Sequence, residues 1–161
     1  MTFVIIDTQF PTGGPARMKK TEIRQLALGI LIEGRHRFGA MLGIVSQIHN
    51  GTYGIFAASS ATGIPEAGDR YPLTAVYCRE VVECGRTVAI TEINGVQGMR
   101  LHPLYDAIPC EFYISSPILV RDEVWGTLNF TSFAKRDSPF SAEDIAYNEA
   151  NAMKVATALA E

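Results

Sequence analysis

A chain of 161 residues has the length of one ordinary domain, and it can bury a hydrophobic core without disulfides or a metal. Apolar residues make up 47% and charged residues 19% of the chain, which excludes a disordered protein. The formal net charge of −3 gives no electrostatic reason to bind a phosphate backbone, so we expect no nucleic-acid partner.

Cysteine usage and hydropathy indicate a cytoplasmic protein. Cys78, Cys84 and Cys110 lack the spacing of metal ligands, and the first residues lack the pattern of a signal peptide. The longest apolar run, residues 26–32, is far below the roughly 20 residues that span a bilayer. We therefore predict reduced thiols, no metal site, no membrane partner and a cytoplasmic location.

The first part of the chain predicts an arm, a helix and a hairpin. Strong structure breakers at residues 11–15 follow a short apolar segment, which predicts a flexible arm over residues 1–17 and a single domain over residues 18–161. Apolar residues at helical spacing predict a helix over residues 19–37. Asn50-Gly51 lies between two apolar segments and is the strongest short signal for a β-hairpin.

The middle of the chain is less regular. Glycines and prolines between residues 63 and 72 predict a loop, and Gly85 follows a segment, residues 74–83, that is predicted to be helical. A brief strand is predicted over residues 87–91. Residues 92–109 are rich in glycine and proline and are predicted to be mostly loop.

The strongest pattern is a second hairpin between residues 111 and 133. Ile118 and Val120 alternate along the first strand, residues 121–123 form a polar turn, and a segment rich in β-branched and aromatic residues follows. Gly126 inside that segment indicates a β-bulge or the close approach of another backbone or a ligand. Ser141 and the acidic residues after it are typical of a helix start, so the last helix is predicted from residue 142 to the end.

This order of elements predicts an α+β fold with a central antiparallel sheet, because hairpins rather than β-α-β units dominate it. Five segments then resemble the GAF domain, a cytoplasmic sensory module of signalling proteins. The resemblance spans residues 23–159 and consists of Tyr77-Cys-Arg-Glu-Val-Val-Glu-Cys-Gly-Arg86, His102-Pro-Leu-Tyr105, Ser116-Pro-Ile-Leu-Val120, Trp125-Gly-Thr-Leu-Asn-Phe130 and Arg136-Asp-Ser-Pro-Phe-Ser-Ala-Glu-Asp144.

The resemblance implies a sheet of about six strands with the terminal helices on one face and a helix and loop lid on the other. It also implies a small-molecule pocket under that lid and a homodimer formed through the terminal helices. The candidate ligand-binding residues are Tyr77, Cys78, Arg100, His102, Tyr105, Tyr113 and Trp125. Structural roles are the alternative: His102 and Tyr105 would brace the loop, and Trp125 would anchor the core.

A covalent bilin chromophore, which some GAF domains carry, is not expected. In that branch of the family a cysteine lies just before the histidine of the loop or a few residues earlier, whereas Leu101 precedes His102 and residues 98–101 contain no cysteine. The predicted effector is therefore an unidentified small molecule that binds without a covalent link.

The leading functional hypothesis is a non-enzymatic sensor domain of a bacterial signalling system, with a kinase or another output domain as its partner. An effector would order residues 92–109 and bias the packing of the terminal helices in a dimer. The enzymatic alternative is a free methionine-R-sulfoxide reductase, which Cys78 and Cys110 resemble in position, although the glycine-rich approach to the first cysteine is missing. A third alternative is a structural dimerisation module without a ligand.

Overall fold

The computed structural model describes residues 17–63, 65–73, 79–92 and 110–161. The helices are α1 (Lys20–Phe38), α2 (Arg79–Cys84) and α3 (Ala142–Ala160). The strands are β1 (Leu42–His49), β2 (Thr52–Ser60), β3 (Arg70–Pro72), β4 (Val88–Ile90), β5 (Phe112–Val120) and β6 (Glu123–Ser132).

These strands form a six-stranded sheet in the order β3-β2-β1-β6-β5-β4. Every neighbouring pair is antiparallel. The prediction of an α+β fold around a central antiparallel sheet is therefore confirmed. The predicted division into residues 1–17 and 18–161 stays a prediction, because residues 1–16 lie outside the described part of the chain.

Helices α1 and α3 cover one side of the sheet, here called the helix face. Phe130 is fully buried at its centre and packs against Phe38 with ring centroids 5.3 Å apart. Gly34 of α1 and Gly43 of β1 both lie against the Phe130 ring, where a Cβ atom would overlap it. The absence of two side chains thus lets one large aromatic ring fill the space between helix and sheet.

The other side of the sheet, here called the lid face, carries a second and smaller apolar cluster. Ile44, Tyr53, Ile55 and Tyr113 are buried there, and Val81 of α2 packs against them with no exposed surface. Helix α2 therefore lies on the face opposite α1 and α3, as the resemblance implies. Residues 74–78, which were predicted to begin this helix, lie outside the described part of the chain.

Both predicted hairpins are present. Asn50 and Gly51 have φ angles of 49° and 73°, as a two-residue turn with left-handed residues requires. Arg121 and Asp122 form the second turn with φ angles of 53° and 64°. Strand β3 was predicted as loop; it is an exposed edge strand of three residues that ends in Pro72, too short to show an apolar alternation.

The connector before α3 is fixed by hydrogen bonds and charge. Ser141 Oγ accepts from the Asp144 backbone N at 3.0 Å, and the Asp144 carboxylate accepts from the Ser141 backbone N at 2.9 Å. Arg37 and Arg136 lie 3.3 and 3.5 Å from the same carboxylate. Partial burial acts to raise the pKa of Asp144, but the Ser141 hydrogen bonds and the two arginines together lower it.

Two β-bulges flank β1, and each turns an aromatic side chain onto the helix face. Phe56 is the unpaired residue where Val45 pairs with Ala57 and Ser46 with Ile55. Trp125 is unpaired where Ile118 pairs with Gly126 and Leu119 with Val124. Phe56 and Trp125 then meet edge to face, with ring centroids 5.3 Å apart and an interplanar angle of 82°.

Gly126 lies immediately after the second bulge, at the closest approach of β6 to β1. A Cβ atom on Gly126 would overlap the Ser46 carbonyl group. The sequence expectation at this glycine is therefore confirmed in both of its forms, a bulge and a neighbouring backbone.

No helix among the described residues is long and apolar enough to cross a membrane.

The contact at Gly126 predicts a large cost for one added methyl group. We expect Gly126→Ala to lower the free energy of unfolding by roughly 2 to 3 kcal/mol, because the rigid β1 backbone must move to make room. Gly29→Ala is the matched control, because Gly29 is exposed on α1 with open space around it. Alanine there should raise stability by up to about 1 kcal/mol. Equal effects of the two substitutions in urea unfolding would contradict the packing described.

Candidate functional site

A cluster of polar side chains occupies the centre of the lid face. Leu128 and Phe130 belong to the helix-face core, so strand alternation places Thr127 and Asn129 on the opposite side of β6. Ser46 pairs with Thr127, and Ser115 pairs with Asn129. We call Ser46, Tyr53, Ser115, Thr127 and Asn129 the polar cluster; each is at most 3% exposed.

Hydrogen bonds connect this cluster across three strands. Ser46 Oγ lies 2.7 Å from Thr127 Oγ1 and also accepts from the Thr127 backbone N at 3.0 Å. Asn129 Nδ2 donates to Thr127 Oγ1 and to the Tyr53 hydroxyl, each at 3.2 Å. The strands β2, β1 and β6 thus present one continuous set of hydroxyl and amide groups.

Such a cluster is unusual in position because apolar residues surround it on the same face. Burying a hydroxyl or an amide is unfavourable unless its hydrogen bonds are made. The backbone hydrogen bonds of the sheet form without polar side chains, so the pairing of these strands does not explain the cluster. The members of the cluster instead satisfy hydrogen bonds with one another away from water. Convergent polar groups among apolar side chains are also the chemistry of sites for small polar molecules.

Sequence reasoning missed most of this cluster. It placed Asn129 on the face opposite Leu128 but assigned it no role, and it did not single out Ser46, Tyr53 or Thr127. A signal was present, since polar residues recur at every second position of β6, at Thr127, Asn129 and Thr131.

The structure separates the two described members of the predicted site. Tyr113 lies on the lid face and is 2% exposed, where it pairs with Thr131. Alternation along β6 would place Trp125 on the lid face with Thr127. The bulge turns it to the helix face instead, where it packs against the core. Trp125 and Tyr113 thus lie on opposite faces of the sheet, and the ligand-binding role of each stays a prediction. The other predicted residues, Tyr77, Cys78, Arg100, His102 and Tyr105, lie outside the described part of the chain.

Cys110 lies beside the lid-face cluster but is poorly suited to nucleophilic chemistry. Burial raises its pKa to about 11; a hydrogen bond with Thr131 acts in the opposite direction, and the charge of Glu111 raises it further. The reactive form of cysteine is the thiolate, so Cys110 stays almost entirely in the unreactive thiol form near neutral pH. Within the described residues, no group of three or more His, Cys, Asp or Glu side chains is arranged to hold a metal ion.

The number of strands in the sheet and its two different faces are those that the resemblance to the GAF domain implies. A sequence model of the GAF domain matches residues 23–159. The chain belongs to the GAF domain family. The family resemblance of the five sequence segments is thereby confirmed. A comparison with curated protein sequences finds no match.

Solved GAF domains and a free methionine-R-sulfoxide reductase share this fold at low sequence identity. A phycoerythrobilin-bound GAF domain from a cyanobacterial phytochrome is 17% identical, with a TM-score of 0.70 over 88% of this chain and 87% of that one. The type II free methionine-R-sulfoxide reductase of Thermoplasma acidophilum is 17% identical, with a TM-score of 0.69 over 87% and 94%. The GAF domain of a phosphoenolpyruvate-protein phosphotransferase from Coxiella burnetii is 14% identical, with a TM-score of 0.70 over 86% and 82%.

The environment of Cys110 predicts a low thiol reactivity in the folded protein. At pH 8, we expect iodoacetamide to modify the exposed Cys84 at least a hundredfold faster than Cys110, because the buried thiol stays protonated. Mass spectrometry of digested protein after timed alkylation measures both rates separately, and alkylation in urea provides the unfolded control. Similar rates at the two cysteines in the folded protein would contradict the burial and the raised pKa.

Proposed function

We propose that this GAF domain is a regulatory module that binds a small polar molecule at the polar cluster of the lid face. The observation that carries the proposal is the hydrogen-bonded set of Ser46, Thr127, Asn129 and Tyr53, buried at the centre of an otherwise apolar face. Sites for small molecules typically combine apolar walls with a few convergent polar groups. The predicted contributions of residues outside the described part of the chain remain part of this proposal.

The sheet offers a short physical route from this cluster to a terminal helix. Asn148 of α3 is fully buried on the helix face, and its Nδ2 donates to Ser116 Oγ at 2.8 Å and to the Leu128 carbonyl at 3.2 Å. Ser116 directly follows Ser115 of the polar cluster, and Leu128 lies between its members Thr127 and Asn129. A molecule that shifts these strands therefore acts on the hydrogen bonds of α3.

A hydroxyl chain extends this link toward the edge of the sheet. Ser116 Oγ lies 2.8 Å from Thr87 Oγ1, which donates to Glu149 Oε1 of α3 at 2.7 Å. Since the Thr87 proton goes to the carboxylate, Ser116 is the donor to Thr87 and the acceptor from Asn148. Two neighbouring residues of α3 thus hold both ends of one hydrogen-bond chain, and an altered register of β5 breaks it.

We propose that the output is a change in how two copies pack through α1 and α3. Leu28 and Ile32 of α1 are 41% and 55% exposed, and Met153 of α3 is 69% exposed. Apolar side chains on both terminal helices favour contact with a second copy. The effector would bias one packing only if it bound the two packings with different affinity. A kinase or another output domain, and a cytoplasmic location, belong to the same proposal.

The environment of Cys110 argues against the reductase alternative, and a covalent bilin is not expected. A reductase needs a thiolate, whereas Cys110 is buried with a raised pKa; the second candidate cysteine, Cys78, lies outside the described part of the chain. A covalently bound bilin needs a reactive thiol next to the chromophore, which Cys110 does not provide for the same reason, and residues 98–101 contain no cysteine. We therefore propose that the domain is neither an enzyme nor a carrier of a covalent bilin.

Native mass spectrometry of the protein purified from cells tests this function. We expect a dimer mass together with a stoichiometric small molecule that is lost on denaturation. Asn129→Ala should reduce the bound fraction at least tenfold, because it removes the donor shared by Thr127 and Tyr53. Asn151→Ala is the matched control, since Asn151 is a buried asparagine on α3.

Three outcomes would contradict the proposal. An unchanged bound fraction in a folded Asn129→Ala protein would remove the polar cluster from recognition. A mass increment that survives denaturation would instead indicate a covalent cofactor. A dimer that carries no molecule and binds none from a metabolite library would favour the purely structural dimerisation module.

A further inference from the structure

A second concave site lies away from the lid face, between the β1–β2 turn, the start of α1 and strand β3. It is a cavity of about 380 Å³, within the size range of small-molecule sites. Its cationic side chains are Lys20, Arg24 and Arg70. Its other polar lining residues, apart from Asp69, are Gln47, His49, Asn50 and Thr52.

The positive charge of this cavity is poorly compensated. Among the described lining residues there are three cationic side chains and one carboxylate, Asp69, whose Oδ2 accepts from the Glu66 backbone N at 2.9 Å. None of the ion pairs within the described residues involves Lys20, Arg24 or Arg70. A protein with a formal net charge of −3 therefore concentrates cations in one depression, where field lines focus and attract an anion.

Arg24 is held in place before any ligand arrives. Its Nε donates to the Phe56 carbonyl at 3.2 Å, and its guanidinium carbon lies 5.2 Å from the centre of the Phe56 ring. An arginine fixed at Nε presents its Nη groups as a planar edge of donors, which matches the oxygens of a phosphoryl group. Arg24 belongs to α1 and Phe56 to β2. An anion bound to Arg24 would therefore also affect the packing of α1 against the sheet.

We propose that this cavity binds a phosphoryl group, either as free phosphate or as part of a small phosphorylated metabolite. A dianion matches several neighbouring cations better than a single carboxylate does. The cavity is larger than one phosphate needs, so there is room for the rest of a metabolite. The site shares no residue with the polar cluster. A failed test of phosphate binding would therefore leave the function proposed above unaffected, and the reverse also holds.

Amide chemical-shift mapping of the full chain tests this site with inorganic phosphate and with adenosine monophosphate, each titrated at constant ionic strength. We expect saturable shifts at the amides of Thr52, Gly54 and Arg70. The double variant Lys20→Gln with Arg70→Gln should weaken binding at least tenfold. Both side chains are exposed, so the fold should be retained. Lys154→Gln on the exposed surface of α3 is the control for charge, and its dissociation constant should stay within twofold.

The two titrations also separate the sources of the phosphoryl group. Equal affinities indicate free phosphate as the ligand, whereas a nucleotide affinity at least tenfold higher indicates a phosphorylated metabolite. Shifts that fail to saturate with either probe, or that chloride reproduces at the same ionic strength, would overturn the proposal. An equal loss of binding in Lys154→Gln would also overturn it, because the lower net charge of the protein would then explain the loss without a specific site.

Discussion

The close contact of β6 with β1 at Gly126 and Ser46 is the constraint on which the rest of the sheet depends. Without a Cβ atom at residue 126, the Ser46 carbonyl group approaches β6 directly. The Ser46 hydroxyl then accepts from the Thr127 backbone N, which fixes Thr127 and Asn129 on the lid face. The adjoining bulge turns Trp125 to the helix face. One missing side chain thus sets both the polar cluster and the aromatic anchor behind it.

The two faces of the sheet differ in chemistry, and neighbouring residues connect them. The helix face is a close-packed aromatic and aliphatic core centred on Phe130. The lid face places hydroxyl and amide groups among apolar side chains. Because successive residues of a strand point to opposite faces, a change at Ser115 on the lid face is one peptide unit from Ser116, which bonds to α3 through Asn148. In the function proposed above, this arrangement would link the polar cluster directly to α3.

Much of the fold could be predicted from the sequence, because the decisive signals are local. Asn50-Gly51 specifies a turn that few other dipeptides form, and the apolar stripe of α1 repeats over several turns. Gly126 indicated the bulge beside it, but not that the bulge turns Trp125 to the helix face, and the bulge at Phe56 left no sequence signal. Both depend on how two strands approach each other. The polar cluster was missed for a related reason: Ser46, Tyr53 and Thr127 come from three strands, and only the pairing register brings them together.

The most direct test of the account is amide chemical-shift mapping with the small molecule that native mass spectrometry identifies. The account predicts the largest perturbations at the amides of Ser46, Ser115, Thr127 and Asn129, followed by residues around Asn148 of α3. Perturbations confined to the exposed surface of the terminal helices, with the polar cluster unchanged, would contradict a ligand site on the lid face.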